Sequence, residues 1–306
     1  MTPPRIMMVS SEASPWAKSG GLADVVGALP AALARLGHAV SVVIPRYMQA
    51  RDAPAQRVIE GLTIRLGTKY HSADVWQMEE RGVTLYFVDN PGLYARNGLY
   101  GDQLGEFPDN HLRFAFLNKA ALEISRRLFP ADVFHCHDWQ TGLLPVYLKE
   151  AGAVDPAFLG ARTLLTIHNL GYQGVFPRSA MADSGLPDRL FRPDLIEFWG
   201  KFSFLKAGLI YADRLTTVSP TYAQEIQTPE YGAGLDGLLR QRRASLTGII
   251  NGVDYGRWNP SDDPAIPAPY GPADLAGKEV CKRELLREMG LPEVAFKRPL
   301  LGIVSR

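Results

Sequence analysis

The sequence predicts an α/β fold in which a parallel sheet is flanked by helices. Three observations lead there. Short β-rich apolar runs alternate with helix-patterned stretches from the first residues onward. The 306 residues are 46% hydrophobic and 21% charged, enough apolar content for a packed core. The apolar runs end, one after another, in polar clusters, as strands do when their carboxyl ends line a ligand crevice.

Taken in order, "RIMMVS" (5–10) reads as the first strand. The stretch through "LADVVGALPAALARLGH" reads as a helix that Pro30 should kink or restart, and "AVSVVIP" (39–45) as the next strand. Between Gln56 and Asn90, "RVIEGLTIRL", "ADVWQMEE" and "GVTLYFVDN" are three β-like runs with no helix between them, which predicts an antiparallel or mixed excursion at a sheet edge. Residues 109–128 place Leu112, Phe116, Ala120 and Ile124 at helical spacing. Strands follow at 131–138 and 161–169 with the helix "TGLLPVYLKEAG" between them, then strands at 213–220 and 245–252, and helices near 194–212, 219–227 and 234–243. Pro and Gly thicken from Asn259 to Pro272, a loop or linker. The helix "DLAGKEVCKRELLREMGL" comes next, and "KRPLLGIVSR" opens a new buried strand. A lone parallel strand cannot cover both its faces. The sequence therefore divides into a domain over 1–255, a linker and helix over 256–297, and the first strand of a second, truncated domain over 298–306.

Charge and cysteine usage exclude several classes. Thirty-three Lys and Arg against 32 Asp and Glu leave a formal net charge of +1, so no global field holds a nucleic acid or an anionic membrane. Cys136 and Cys281 form no C-x-x-C pair, which argues against a disulfide framework or a cysteine zinc site and for a reducing cytoplasm. No apolar run approaches the ~20 residues of a membrane span, and the N-terminus lacks an export signal's apolar region.

The polar clusters carry the chemistry. In "PWAKSGGLADVVGALP" (15–30), Lys18 stands ahead of Gly20 and Gly21, which is neither a P-loop nor a dinucleotide fingerprint. The glycines let backbone amides approach an anion at the start of the next helix, and the ammonium adds a point charge there. A solvated loop lysine is the alternative. In "FHCHDW", His135, His137 and Asp138 could ligate a metal, giving a metal-dependent hydrolase, or Asp138 could cap the helix beginning at Thr141. Trp139 beside Asp138 is a common way to hold a sugar, and half-buried packing on the next helix is its alternative. His168 and Asn169 end a β-branched strand, where a backbone-bonded histidine is the plainer reading, and Asn251-Gly252 is a turn signal by itself.

Together, "EASPWAKSGGLADVVGALPAAL", "DNPGLYARNGLYG", "FHCHDWQTGLLPVYLK", "TIHNLGYQGVF", "TVSPTYAQEI", "GIINGVDYGRWNP" and "RPLLGIVSR" resemble the successive signatures of bacterial glycogen synthases and plant starch synthases. The resemblance spans essentially the whole chain. It implies the N-terminal part of a GT-B glycosyltransferase, two Rossmann-like domains facing across a cleft, which transfers glucose from ADP-glucose to the 4-hydroxyl of an α-1,4-glucan with retention and without a metal. It implies that Lys18 reaches the donor diphosphate and that His168 lies at the transferred glucose, with Asn169 beside it. Asn251 would join the sugar and phosphate contacts, and Glu12, Asp24, Tyr94, Asp138 and Trp139 would shape the acceptor side. Arg306 matches a diphosphate-binding arginine of the second domain. The family's pattern continues past Arg306, so the 306 residues alone are expected to be inactive or nearly so, with a non-catalytic glucan-binding fragment as the alternative.

Overall fold

The structure is a computed structural model and describes residues 3–152 and 155–303. It contains two compact units, Met1–Asn251 and Gly252–Arg306. In the first, β1 (Ile6–Val9) leads into α1 (Gly21–Arg35) and β2 (Val40–Pro45). β3 (Gln56–Leu66), β4 (Lys69–Glu80) and β5 (Val83–Asp89) follow, then the short helix α2 (Pro91–Tyr94), the hairpin β6 (Gly101–Asp102) with β7 (Gly105–Glu106), and α3 (Asn110–Arg127). Next come β8 (Val133–His137), α4 (Leu144–Gly152), β9 (Arg162–Ile167), β10 (Val175–Phe176), α5 (Ala180–Ser184), β11 (Glu197–Phe198), β12 (Lys201–Ser203) and α6 (Phe204–Tyr211). β13 (Arg214–Thr217), α7 (Pro220–Glu225), α8 (Asp236–Gln241) and β14 (Leu246–Gly248) complete the unit. The second unit contains α9 (Ala276–Glu288).

The main sheet has nine strands in the order β14-β13-β9-β8-β1-β2-β5-β4-β3. From β14 to β5 neighbours run parallel, and β4 and β3 add antiparallel at the edge, as the run of helix-free β patterns implied. Burial explains each strand's composition. All four residues of β1 and all six of β2 are buried, because helices cover both faces of a parallel strand. Met7 and Val9 enter the core beneath α3, and Ile6 and Met8 the core beneath α1. In edge strand β3 only Leu62, Ile64 and Leu66 are buried, alternating with polar residues on an open face. The chain leaves β1 for β2 on one side and later returns to place β8 on the other. That makes the β1/β8 junction the switch point at which open α/β sheets bind ligands.

Four expectations need correction. α1 is not restarted at Pro30: it runs unbroken with Pro30 buried inside it, forgoing only the hydrogen bond that a proline nitrogen cannot donate. The helix expected from 194 begins at Phe204, because Trp199 and Gly200, at φ 52° and 76°, turn β11 back onto β12. Ser203 then caps α6, its Oγ accepting from the Lys206 amide. β14 stops at Gly248, where the chain passes so close to the Ser219 carbonyl that a Cβ would stand 2.2 Å from its oxygen; the Ile249 amide still donates to the Thr217 carbonyl, but Ile249 and Ile250 are exposed. The strand expected over 298–306 is not formed in its described part, 298–303: Leu301 and Ile303 are exposed and pair with no strand among the described residues. Val304, Ser305 and Arg306 lie outside the described residues.

Glycine contacts set the position of the turn after β8. A Cβ on Gly142 would stand 2.1 Å from the Phe204 carbonyl oxygen, and one on Gly208 of α6 2.9 Å from the Gly142 Cα. Backbone cannot yield as a side chain does. Gly142→Ala is expected to lower stability by about 1–3 kcal/mol, the cost of overpacking, as read by urea unfolding. An unchanged midpoint would show that α6 is free to shift.

Candidate active site

Past β1 the chain turns through Ser10, Ser11 and Glu12, all buried, before α1 starts. Four donors converge on the Glu12 carboxylate. Oε2 accepts from the backbone amides of Ser19 (2.5 Å) and Gly20 (3.2 Å), and Oε1 from the hydroxyls of Ser19 and Tyr100 (2.6 Å each). Glu12 thus fastens the Lys18–Gly21 loop to the strand end. Within that loop the Lys18 ammonium bonds both oxygens of Asp24, in the first turn of α1, at 2.6 and 2.8 Å. Gly20 is extended (φ −153°), so no left-handed conformation calls for it. Gly21, the first residue of α1, is exposed, and nothing lies within 4 Å of where its Cβ would sit.

On the other side of the switch point, β8 ends in a buried polar ladder. The His135 Nε2 lies 2.7 Å from the Thr166 Oγ1, which lies 2.7 Å from the Thr216 Oγ1. The rings of His135 and His137 are 4.2 Å apart, and the His137 Nδ1 is 3.0 Å from the His168 Nε2. Asp138 adopts φ 57°, a strained value for a residue with a side chain. Its Oδ1 accepts from the backbone amides of His168 (2.7 Å) and Asn169 (3.4 Å), tying the ends of β8 and β9 together. Helix capping is therefore not what the Asp138 side chain does. The metal-hydrolase reading needs three ligating groups converging on one point. Among the described residues, no group of three or more His, Cys, Asp or Glu is arranged to hold a metal ion.

Burial governs the charges here. It lowers the His168 pKa to about 4 against the opposing pull of Glu12, lowers that of His135 to about 3, and drives that of His137 well below the ordinary value. All three imidazoles are neutral at neutral pH. Burial raises the Asp138 carboxyl to about 7, although the amides of His168 and Asn169 pull it back down.

Lys18, Gly20, Gly21, Asp24 and Glu12 thus form one cluster, with Asp138, His168 and Asn169 on the neighbouring strand ends. Glu12 is close enough to act electrostatically on both Asp138 and His168. Two expected site residues belong to the core instead. Tyr94 is fully buried against Tyr47 and Phe116, its hydroxyl donating to the Arg113 carbonyl at 2.8 Å. Trp139 is no open sugar platform: it packs among Phe114, Phe176 and Phe204, and Gly174 (φ 55°) approaches so closely that a Cβ would stand 2.2 Å from its ring. Asn251 is exposed at the end of the first unit, beyond β14, and Arg306 lies outside the described residues. Sequence reasoning missed Ser19 and Tyr100 as the other partners of Glu12. Ser19 sits in the quoted glycine stretch, whereas Tyr100 is 88 residues from Glu12 and carries no spacing signal.

Residues 5–241 match the family model described as the starch synthase catalytic domain. The chain belongs to that family. It is 50% identical over 307 aligned residues to a glycogen synthase of Myxococcus xanthus, covering 98% of this chain and 64% of that protein. It is 47% identical to a glycogen synthase of Koribacter versatilis, with 98% and 62% covered. The chain therefore spans somewhat under two thirds of the length of these relatives. The catalytic domain of starch synthase IV from Arabidopsis thaliana, solved bound to ADP and acarbose, superposes with a TM-score of 0.85 at 32% identity, over 95% of this chain and 60% of that one.

The two kinds of buried group give opposite pH dependences. Asp138 carries an extra proton when folded between the ordinary 3.8 and about 7, so its contribution to stability falls as pH rises through that interval. His168 binds its proton less readily when folded, between 6.5 and about 4, so its contribution falls as pH drops. Relative to the parent, Asp138→Asn should gain stability as pH rises from about 4 to 8, by about 4 kcal/mol in all. His168→Gln should gain relative to the parent as pH falls. Parallel urea-unfolding curves across that range would remove these assignments.

Proposed function

We propose that the protein is a glycogen or starch synthase, which transfers glucose from ADP-glucose to the non-reducing 4-hydroxyl of an α-1,4-glucan, with retention and without a metal, in the cytoplasm. One observation carries the reading: at the sheet's switch point, a family-typical glycine loop bearing Lys18 opens a 15-residue helix beside the neutral His168.

The electrostatics suit that reaction. Departure of a nucleoside diphosphate builds negative charge, which the Lys18 ammonium and the N-terminal end of α1 would stabilise. The ion pair with Asp24 does not prevent this, because both side chains are about 40% exposed and such pairs contribute about 0–1 kcal/mol. An incoming diphosphate competes well against so weak a tie. The transferred glucose takes on oxocarbenium character, and a cation beside it would repel it. Burial keeps His168 neutral, so its ring and carbonyl can contact the sugar without that penalty. Asn169 and Asn251 would add sugar and phosphate contacts, and Arg306 a diphosphate contact. No helix among the described residues is long and apolar enough to cross a membrane, so nothing there opposes a water-borne glucan as partner.

In a full-length synthase carrying these residues, Lys18→Ala is expected to reduce the rate of ADP-glucose-dependent glucan elongation by about 10²-fold or more, the loss of one preorganised charge donor, with unfolding unchanged. An undiminished rate would return Lys18 to a solvated loop residue. Glucan recognition is checked separately by titrating tryptophan fluorescence with maltoheptaose against cellohexaose. Response to the α-1,4 oligomer alone is the expected outcome, and equal or absent responses from folded protein would count against an acceptor site in these residues.

A further inference from the structure

The hydrogen bond between His137 and His168 leaves one proton to be placed. Both rings are neutral, so each carries a single N–H, and the contact joins the His137 Nδ1 to the His168 Nε2 at 3.0 Å. The other nitrogen of His137, Nε2, is buried with no hydrogen-bond partner among the described residues. If the His168 Nε2 held the shared proton, His137 would have to carry its own on Nε2, burying an N–H with no acceptor. If the His137 Nδ1 holds it, only a bare lone pair is left unpartnered. Orphaned buried N–H groups are the rarer of the two.

We infer that His137 is a positioning residue that donates from Nδ1 to the His168 Nε2 and thereby fixes His168 as its Nδ1–H tautomer. His168 is then a hydrogen-bond donor with a fixed ring, its only basic nitrogen occupied. The rest of the ladder holds His137 for this task. His135 stacks on it with ring planes 31° apart, and His135 is itself anchored through Thr166 to Thr216. The functional consequence rests on the proposed reading of the site: the sugar atom that meets His168 is an acceptor oxygen, such as a hydroxyl, and His168 takes no proton from it.

The test is long-range proton–nitrogen correlation of the imidazole rings in uniformly ¹⁵N-labelled protein, with His168 assigned by loss of its signals in His168→Gln. The expected pattern for His168 is a protonated Nδ1 and a bare Nε2. His137→Asn, whose amide N–H takes the place of Nδ1, should keep that pattern. His137→Leu, which cannot donate, should let His168 shift to the Nε2–H form. A protonated Nε2 on His168 in the parent, or an unchanged pattern in His137→Leu, overturns the inference. The parent spectrum decides the matter even if His137→Leu fails to fold. Glucan elongation by a full-length synthase carrying these residues separates this from the reading it rests on: with the tautomers as expected, equal rates in His137→Asn and His137→Leu leave the assignment standing and sink the placement of the sugar at His168.

Discussion

A parallel sheet ends in backbone amides that no further strand satisfies, and the loops beyond it stay where they are only if something else accepts from them. Two buried carboxylates do so here. Glu12, just past β1, accepts from the amides of Ser19 and Gly20, and Asp138, just past β8, from those of His168 and Asn169. Each acid thereby fixes the loop that carries a candidate site residue: Lys18 in one case, His168 in the other. Because β1 and β8 are adjacent, the two tethers stand side by side at the one place where the topology leaves a crevice.

These tethers differ in kind from the surface charges. Ion pairs such as Arg57 with Glu60 or Arg192 with Asp194 are solvent-exposed and contribute little. Charge-assisted bonds from buried amides and hydroxyls are about twice as strong as neutral ones, and losing such an acceptor strands every donor it served. The Lys18–Asp24 pair belongs to the weak class and the Glu12 network to the strong one. The loop is accordingly held firmly while the ammonium it presents is held loosely, which suits a group that must exchange partners when an anionic ligand arrives.

How much of this the sequence revealed follows from how local each feature is. The alternation of β-like and helical runs gave the sheet, and the run of strands between Gln56 and Asn90 gave its antiparallel edge, because periodicity is carried by neighbouring residues. The helix expected before Ser203 was lost to a two-residue turn at Trp199 and Gly200, where backbone conformation overrode composition. At the site, the family resemblance named Lys18, His168 and Asp138 but not the contacts that hold them. The bond from Tyr100 to Glu12 and the one from His137 to His168 join residues 88 and 31 positions apart, and no spacing rule records such pairs. The surroundings of Trp139 and Tyr94 were hidden for the same reason. An aromatic beside a polar motif looks the same in sequence whether its ring faces a ligand or, as here, Phe114 and Phe116.

The strain at Asp138 follows from its tether. A side chain at φ 57° and ψ −171° costs on the order of 1–3 kcal/mol, and the surroundings must return at least that much. The bond from the His168 amide does so only while Asp138 points across to β9, and the left-handed backbone is what aims it there. The raised pKa has the same origin, since the carboxyl has traded water for those two amides, and two amides do not fully replace water. Conformational strain and electrostatic cost are thus both concentrated in one residue at the switch point, and what they secure is the position of the His168 backbone relative to β1 and its glycine loop.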